Sequence, residues 1–294
     1  MRKSFDTPVR FTARNDYAFK KLFGTDENKD IMIEFVSLVT GLSNTDFGDV
    51  RIENTEQIPH FYKDKTGRLD IKIRLKDNRK IDVEMQNTYF DYYPKRSIFY
   101  CTKLIHEHLV SGLQYATLKK CIAINVLNSP FKLSRKVHSI YQIREQEEQT
   151  LLDELLEIHF LDLTKLKKEN LTSLEKWLMF IKTDSKEERQ MLAQENPVMA
   201  KANQVMDIFY LDEQERKRYE AAWEYESDRL SMISESERKG IEQGKSLGLA
   251  EGEARGSRQA KLETARNLLQ FGLSVENIAQ ATGLSQVEVA NIHF

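Results

Sequence analysis

The chain has 294 residues, with 44 lysines and arginines against 46 aspartates and glutamates, so its formal net charge is −2. Apolar residues make up 40% of it and charged residues 31%, which is typical of a globular, helix-rich protein of one large or two ordinary domains. The sequence has no run of 18 apolar residues, and MRKSFDTPVR at its start has no apolar stretch. We therefore expect neither a membrane-spanning helix nor a secretory signal. Two cysteines cannot crosslink a chain of this size, which indicates a reducing, cytoplasmic location.

The net charge conceals an uneven distribution. Residues 1–144 carry 25 basic against 17 acidic side chains, whereas residues 145–294 carry 19 against 29. A total near zero argues against a nucleic-acid partner, but a basic half favours one. We expect residues 1–144 to bind DNA and the acidic half to assemble or restrain them. Solvated charged surfaces without any function would give the same split.

The first predicted elements are a helical segment and a hairpin. Residues 15–40 have helical apolar spacing, and Asn15 can cap the helix. Residues 49–62 are mixed and strand-like. In 68–75 and in 80–86, apolar and polar residues alternate, which predicts two strands that each have one apolar and one polar face.

A helix and further strands follow an aromatic loop. The helix begins near Pro94 and runs to about Gly112, with a predicted buried stripe of Ile98, Cys101, Leu104, Ile105 and Leu109. The apolar run at 121–127 predicts a buried strand, and residues 157–163 predict another. This order predicts an α/β domain with a mixed sheet over residues 1–165.

Beyond residue 165 the spacing is helical almost throughout. We predict a helical extension at 166–235, a helix or linker at 236–258 and a small unit resembling a helix-turn-helix at 259–294. A glycine recurs at every fourth position, at Gly240, Gly244, Gly248, Gly252 and Gly256. Each costs about 1 kcal/mol of helix propensity against alanine, so five on one face favour close helix packing and a homo-oligomer. A flexible tether is the alternative. The last helix lacks basic residues, which favours an interaction unit over a specific DNA reader.

The hairpin carries the most informative pattern. A turn at residues 76–78 pairs the strands so that Asp70 lies opposite Glu84, with Cβ atoms about 5 Å apart. Gln86 and Lys72 lie on the same polar face. Two opposed carboxylates repel each other, and a divalent cation such as Mg²⁺ removes the repulsion and can activate water against a phosphodiester. An edge hairpin with a solvated face of mixed charge would show the same pattern.

The wider context of this hairpin resembles a known family. Asp70 is followed after thirteen residues by Glu84-Met85-Gln86, between NDYAFKKLFG at 15–24 and KRSIFY at 95–100. This combination resembles the Rpn family of recombination-promoting nucleases and transposases, in the PD-(D/E)XK nuclease superfamily. The resemblance covers about residues 10–165 and implies a restriction-endonuclease-like core followed by a helical C-terminal region.

The function that the resemblance implies is a metal-dependent DNA endonuclease acting in recombination or transposition. It implies Asp70, Glu84 and the Met85 carbonyl as ligands of Mg²⁺ or Mn²⁺. Asp16 matches an acidic position of the family and either completes the metal shell or simply favours the start of its helix. A catalytically inactive nuclease fold, kept as a DNA-binding or oligomeric interaction module, is the alternative.

The remaining implied site residues are basic or amide side chains. Gln86 stands where the superfamily usually has lysine, which keeps the inactive alternative open, and Lys72 is a substitute lysine on the same face. Arg96 suits a phosphate contact or a surface ion pair, and Lys95 and Lys20 are further candidates for nucleic-acid contacts. Aromatic side chains that could stack on unpaired bases, or pack around their loop, are Tyr89, Phe90, Tyr92 and Tyr93.

Overall fold

A mixed sheet lies between helices in the first of two compact units. The structure is a computed structural model of the whole chain and describes residues 10–53, 70–88, 90–108 and 114–292. The two units are Met1–Glu224 and Tyr225–Phe294. Among the described residues, no helix has the length and apolar character that crossing a membrane requires.

Helices and strands alternate along the first unit. Its helices are α1 (Asp16–Phe23), α2 (Lys29–Thr40), α3 (Asn44–Phe47), α4 (Tyr93–His106), α5 (Ser173–Lys182), α6 (Lys186–Ala193), α7 (Pro197–Leu211) and α8 (Glu213–Gln270), which continues into the second unit. Its strands are β1 (Arg51–Glu53), β2 (Ile71–Arg74), β3 (Lys80–Gln86), β4 (Cys121–Leu127), β5 (His138–Tyr141) and β6 (Leu156–Asp162). The sheet order is β1-β2-β3-β4-β6-β5, with β3, β4 and β6 parallel. The predicted α/β domain with a mixed sheet is confirmed.

The hairpin of β2 and β3 has the register that its sequence predicts. Ile71 pairs with Val83 and Ile73 with Ile81, and all four side chains are buried on one face. Asn78 takes the left-handed conformation that the turn needs, with φ 68°. A slip of one residue would turn every apolar side chain to the other face, so burial of this face enforces the register.

The polar face of β3 is buried as well, which contradicts the alternative of a solvated edge hairpin. β3 is an interior strand between β2 and β4, and α4 packs across β3, β4 and β6. Lys80, Asp82 and Glu84 are only 6%, 1% and 1% exposed. Buried charged groups need partners or ligands, so this face is where a site is expected.

The opposite face of the sheet forms the main apolar core. Helices α1, α2, α5 and α7 pack there, and the ring of Phe23 lies 5.1 Å from that of Phe35 and 6.1 Å from that of Trp177. Part of the helical segment predicted as an extension, 166–235, therefore shares this core. The predicted domain boundaries themselves stay predictions.

Helix α4 buries part of the predicted stripe, since Cys101 and Leu104 are buried as predicted and Ile98 is not. The buried residues are Tyr93, Ser97, Tyr100, Cys101 and Leu104. Ile98 was predicted to be buried but is 50% exposed. The polar Ser97 faces the sheet instead, because its hydroxyl donates to Asn125 Oδ1 at 2.8 Å. The helix ends at His106, and Leu109 lies outside the described residues.

The second unit contains the rest of α8, followed by α9 (Val275–Thr282) and α10 (Gln286–Ala290). Ser274 and Ser285 cap these two short helices, and Gly283 ends α9 with φ 70°. A small core consists of Ala265, Ile278, Leu284 and Val289. The five glycines at spacing four lie in α8, and a Cβ added at any of them would meet no atom of the described residues within 4 Å.

Candidate active site

The hairpin brings the two predicted acidic residues together. Asp70 directly precedes β2, and its backbone N–H donates to Glu84 Oε1 at 3.3 Å. The Met85 N–H in turn donates to Asp70 Oδ2 at 3.1 Å. Glu84 is 1% exposed, and Asp70 is half-buried. The two carboxyl groups therefore lie close together at the edge of the buried polar face of β3.

The pKa values of Asp70 and Glu84 are both raised, because the two carboxyl groups are buried and lie near other acids. Burial, followed by the neighbouring Asp16 carboxylate, raises the pKa of Asp70 to about 6. Burial also raises the pKa of Glu84 well above its usual range, and the charges of Asp70 and Asp82 add to the shift. Desolvation and like charges both disfavour an ionised carboxyl group. A bound cation would relieve both effects, since it stabilises the charged forms.

Arg96 and Gln86 both contact the buried glutamate. Arg96 Nη2 and Gln86 Nε2 each donate to Glu84 Oε2 at 3.1 Å. The guanidinium also donates from Nε to Tyr100 Oη at 2.9 Å and lies 5.0 Å from the centre of the Tyr100 ring and 5.7 Å from that of Tyr93. Arg96 is thus held by a charge, a hydroxyl and two aromatic rings beside the acidic pair. Its ion pair is with a buried carboxylate, not with a surface one.

The ammonium of Lys72 points elsewhere. Lys72 Nζ pairs with Glu53 Oε2 at 3.0 Å and with Glu107 Oε2, which Lys80 also contacts at 3.1 Å. Lys72 shares a face with the acidic pair, but its long side chain reaches β1 and the end of α4. Glu84 takes its nitrogen donors from Arg96 and Gln86, so the structure gives no support to the substitute role predicted for Lys72.

The start of α1 lies within electrostatic range of the site. Asp16 pairs with Lys20 at 3.0 Å, and the charges of both act on the pKa of Asp70 in opposite directions. The Asp16 side chain is 57% exposed, so it remains free to reorient. Lys95 is exposed in the first turn of α4, next to Arg96.

One buried acid was missed from the sequence. Asp82 is 1% exposed, and its Oδ1 has no hydrogen-bond partner among the described residues. Burial, with the charge of Asp70 adding to it, raises the pKa of Asp82 well above its usual range. The period-two pattern placed Asp82 on the same face as Glu84, so the signal was present. What the pattern lacked was any indication that a helix covers this face.

The donor set fits a hard divalent cation with few protein ligands. Across the described part of the chain, no three histidine, cysteine or acidic side chains converge closely enough to hold a metal ion together. Asp70 and Glu84 therefore supply two carboxylates, and the other ligands would be the Met85 carbonyl and water. Mg²⁺ binds in this way, through one or two carboxylates and several waters. All-oxygen donors favour Mg²⁺ or Mn²⁺ over zinc.

Comparison with known families agrees with this geometry. Residues 13–236 match the family model of the PD-(D/E)XK nuclease family transposase. The chain belongs to this family. Residues 258–293 match the C-terminal HTH domain of the Rpn/YhgA-like nuclease family. Comparisons with curated proteins and with solved structures gave no match.

Membership of the PD-(D/E)XK nuclease family transposases confirms the resemblance inferred from the hairpin and its flanking segments. It supports a nuclease role connected with recombination. The second match assigns residues 258–293, from the end of α8 through α10, to a helix-turn-helix domain, a class associated with DNA binding. From the sequence, an interaction unit was expected there.

Proposed function

We propose that the protein is a metal-dependent DNA endonuclease that acts in the cytoplasm and promotes recombination or transposition-like events. The contact between Asp70 and Glu84 supports this proposal most directly. The two acids are adjacent, largely desolvated and mutually repulsive in the absence of a cation. Such an arrangement destabilises the fold unless it serves a ligand.

Asp70, Glu84 and the Met85 carbonyl would hold Mg²⁺ or Mn²⁺, with Asp16 near enough for its charge to act on Asp70. When bound, a divalent cation lowers the pKa of a coordinated water and stabilises negative charge on phosphate oxygens. The Met85 N–H fixes one oxygen of Asp70, which leaves its other oxygen available for a ligand. The backbone of the hairpin thereby orients the first carboxylate.

The chain supplies its own groups for the phosphate and for water. Arg96 has five N–H donors, and its contacts with Glu84 and Tyr100 use two of them, so a donor remains for a phosphate oxygen. Gln86 donates to Glu84 through nitrogen, which leaves its carboxamide oxygen able to orient a water. Lys20 and Lys95 add positive charge for the DNA backbone.

The inactive nuclease fold is the second candidate, and one observation favours it. Glu84 Oε2 accepts two hydrogen bonds, from Arg96 and from Gln86, so the glutamate is well satisfied by the chain itself. Gln86 also carries no charge with which to lower the pKa of a water. A protein of this kind would bind DNA or assemble, without cutting.

Nicking of supercoiled plasmid DNA tests the two candidates. The wild-type chain is compared with Asp70→Ala and Glu84→Ala in Mg²⁺, in Mn²⁺ and in EDTA. Asp77→Ala is the matched control, since Asp77 lies in the turn of the same hairpin and pairs with Arg79. We expect metal-dependent nicking that both site variants lose and the control keeps. Unchanged nicking in both site variants would reject the site, and DNA binding without nicking in wild type would establish the inactive candidate.

The terminal helix-turn-helix unit is a second DNA-binding candidate by its class. The polar side chains of its last helix and the cap that follows include Gln286 and Asn291, but no lysine or arginine. Base contacts by amides alone are weak without phosphate contacts nearby. We therefore assign most of the DNA affinity to the first unit.

We also propose that α8 assembles the protein into a homo-oligomer. No described residue covers the glycine stripe, so packing against another copy would compensate for the helix propensity that the glycines lose. Light scattering of the full chain, comparing wild type with Gly244→Leu/Gly248→Leu, tests this. Ser246→Leu/Ala250→Leu on the opposite side of the helix is the control. Loss of the oligomer only in the glycine variant is expected, and a wild-type monomer would refute the proposal.

A further inference from the structure

The exposed side of α4 is both aromatic and basic. Phe99 and the residue before the helix, Tyr92, are each 54% exposed, and Lys95 is exposed between them. Spacings of three, four and seven residues place these side chains in one stripe. The helix sequence, YPKRSIFYCTKLIH, contains three lysines and arginines and no acid. A large apolar area on a charged helix at the surface calls for a partner.

Each exposed ring of this stripe contacts a second aromatic ring, and the Phe99 pair lies beside Arg96. Phe90 stacks on Tyr92 with ring centres 5.2 Å apart and planes 4° from parallel. Phe99 lies 6.0 Å from Tyr100, and the Arg96 guanidinium lies 5.0 Å from the Tyr100 ring. Arg96 in turn contacts Glu84. Phe99 is therefore connected to the candidate acid Glu84 through Tyr100 and Arg96, so a ligand on its ring lies near the candidate site.

We propose that this surface, the α4 platform, binds an unpaired DNA strand. The α4 platform comprises Phe90, Tyr92, Lys95 and Phe99. Bases would stack on the exposed rings while Lys95 and Arg96 contact phosphates, so that unpaired or locally melted DNA is the preferred substrate of the neighbouring site. This inference rests on the proposed nuclease function and names its substrate class.

The chemistry of the α4 platform selects this ligand over two others. A duplex presents phosphates but hides the faces of its bases, so it would leave the rings uncovered. A second copy of the same face would bring Lys95 against Lys95, with no acid in the helix to offset the repulsion. Unpaired bases supply planar faces and a negative backbone together, which matches aromatic rings interleaved with cations.

Fluorescence anisotropy of the full chain in EDTA provides the test. The probes are a labelled oligo-dT strand and a labelled duplex, each of about 20 nucleotides, since single-strand sites span roughly 4–16 nucleotides. We expect Phe99→Ala, and independently Tyr92→Ala, to weaken oligo-dT binding by about tenfold or more and to change duplex binding little. Phe99→Trp should keep oligo-dT binding. Tyr115→Ala is the matched control, because Tyr115 is 83% exposed and lies outside α4.

Three results would overturn the inference. Unchanged oligo-dT binding in both alanine variants would remove the role of the rings. Equal losses of affinity for oligo-dT and for duplex would show that the surface contacts only phosphates. A lower mass of the protein in solution for Phe99→Ala would show that a second copy covers this face.

The binding assay contains no metal, so its result does not depend on whether the protein cleaves DNA. A wild type that binds as expected but never nicks would reject the endonuclease alone, and one that nicks with no preference for oligo-dT would reject the α4 platform alone.

Discussion

The two faces of β3 are buried almost equally but have opposite chemistry. Ile81 and Val83 are 0% and 1% exposed in the apolar core, and Asp82 and Glu84 are both 1% exposed beneath α4. Burying the apolar side chains stabilises the fold by about 25 cal/mol per Å². Burying the carboxylates costs free energy unless they are neutralised or paired. Burial therefore does not separate the structural residues of β3 from its candidate site residues, whereas charge does.

Unmet charge on the polar face of β3 is concentrated at Asp82, next to the candidate site. Lys80 has a salt bridge with Glu107 at 3.1 Å, and Glu84 has one with Arg96 at the same distance. Asp82 lies between Lys80 and Glu84 in the strand, and its Oδ1 has no partner among the described residues. The apolar face carries no charged side chain in β3, so each face predicts a different response to substitution.

The largest expected effect is that substitutions at two neighbouring residues of β3 affect different properties: one lowers nicking and the other lowers stability. Glu84→Ala should lower plasmid nicking by at least about a hundredfold, since loss even of an outer-shell partner costs about 10–100-fold. It should leave the protein folded, because Arg96 keeps its hydrogen bond to Tyr100 and its side chain is 32% exposed to water. Val83→Ala should keep nicking at temperatures where it is folded, but lose about 1–3 kcal/mol of unfolding free energy.

Nicking assays and urea unfolding of both variants measure these two effects. Ile73→Ala, on the apolar face of the partner strand, serves as a second stability control. If Glu84→Ala cuts normally, or if Val83→Ala abolishes cutting while its fold is intact, the two faces do not divide structure from function as inferred.

The hairpin was predictable because its information is local. The alternating strands and the tolerance of Asn78 for positive φ suffice to set the register, which places Asp70 opposite Glu84. The cover over the polar face was not predictable, because it depends on where α4 crosses the sheet. For the same reason Ile98 was predicted on the wrong side of its helix. Apolar spacing cannot show that Ser97 prefers a buried amide partner.

The second prediction concerns Arg96, which contacts Glu84 and is proposed to contact a DNA phosphate. Arg96→Ala should lower nicking by about 10–100-fold, because it removes both a partner of Glu84 and the proposed phosphate contact. Without metal, its unfolding free energy should fall by about 1–3 kcal/mol, since a buried carboxylate loses its ion pair. Added Mg²⁺ should restore part of this stability, which urea unfolding with and without Mg²⁺ measures.

Arg96→Lys is the matched control for charge. Lysine keeps the positive charge but cannot donate to Glu84 and Tyr100 in the planar geometry that arginine uses. We expect stability close to that of wild type and nicking between that of wild type and that of Arg96→Ala. Full nicking in Arg96→Ala would show that the arginine is only structural.

A third prediction uses a buried polar cluster at the far edge of the sheet, where every member has a partner. His138 Nε2 lies 2.8 Å from His159 Nδ1, and His159 Nε2 lies 2.8 Å from Glu157 Oε1. Burial and the neighbouring His159 lower the pKa of His138 from 6.5 to about 4. The unfolded chain therefore binds the proton first as the pH falls. The stabilising contribution of this neutral histidine is complete above pH 6.5 and is lost toward pH 4.

Urea unfolding between pH 7.5 and pH 4 measures this effect. Wild type should lose about 1–3 kcal/mol through His138 over that window, and His138→Gln should show a flatter profile. Nicking by His138→Gln at pH 7.5 should equal that of wild type. A loss of nicking there would mean that a fully paired polar cluster also serves the active site.

The smallest expected effect distinguishes the two candidates for water activation. Lys72→Met keeps most of the side-chain length but removes the ammonium, which pairs with Glu53 and Glu107 away from the acidic pair. Nicking should stay within about threefold of wild type, and stability should fall by at most about 1 kcal/mol, because Glu53 keeps Arg74 and Glu107 keeps Lys80 as partners. Gln86→Ala removes a side chain that contacts Glu84, and should lower nicking by about tenfold. The reverse ranking would mean that bound DNA draws Lys72 out of its two salt bridges. In that case Lys72 on β2 would act in catalysis, and its salt bridges with Glu53 and Glu107 would keep it away from the acidic pair until substrate binds.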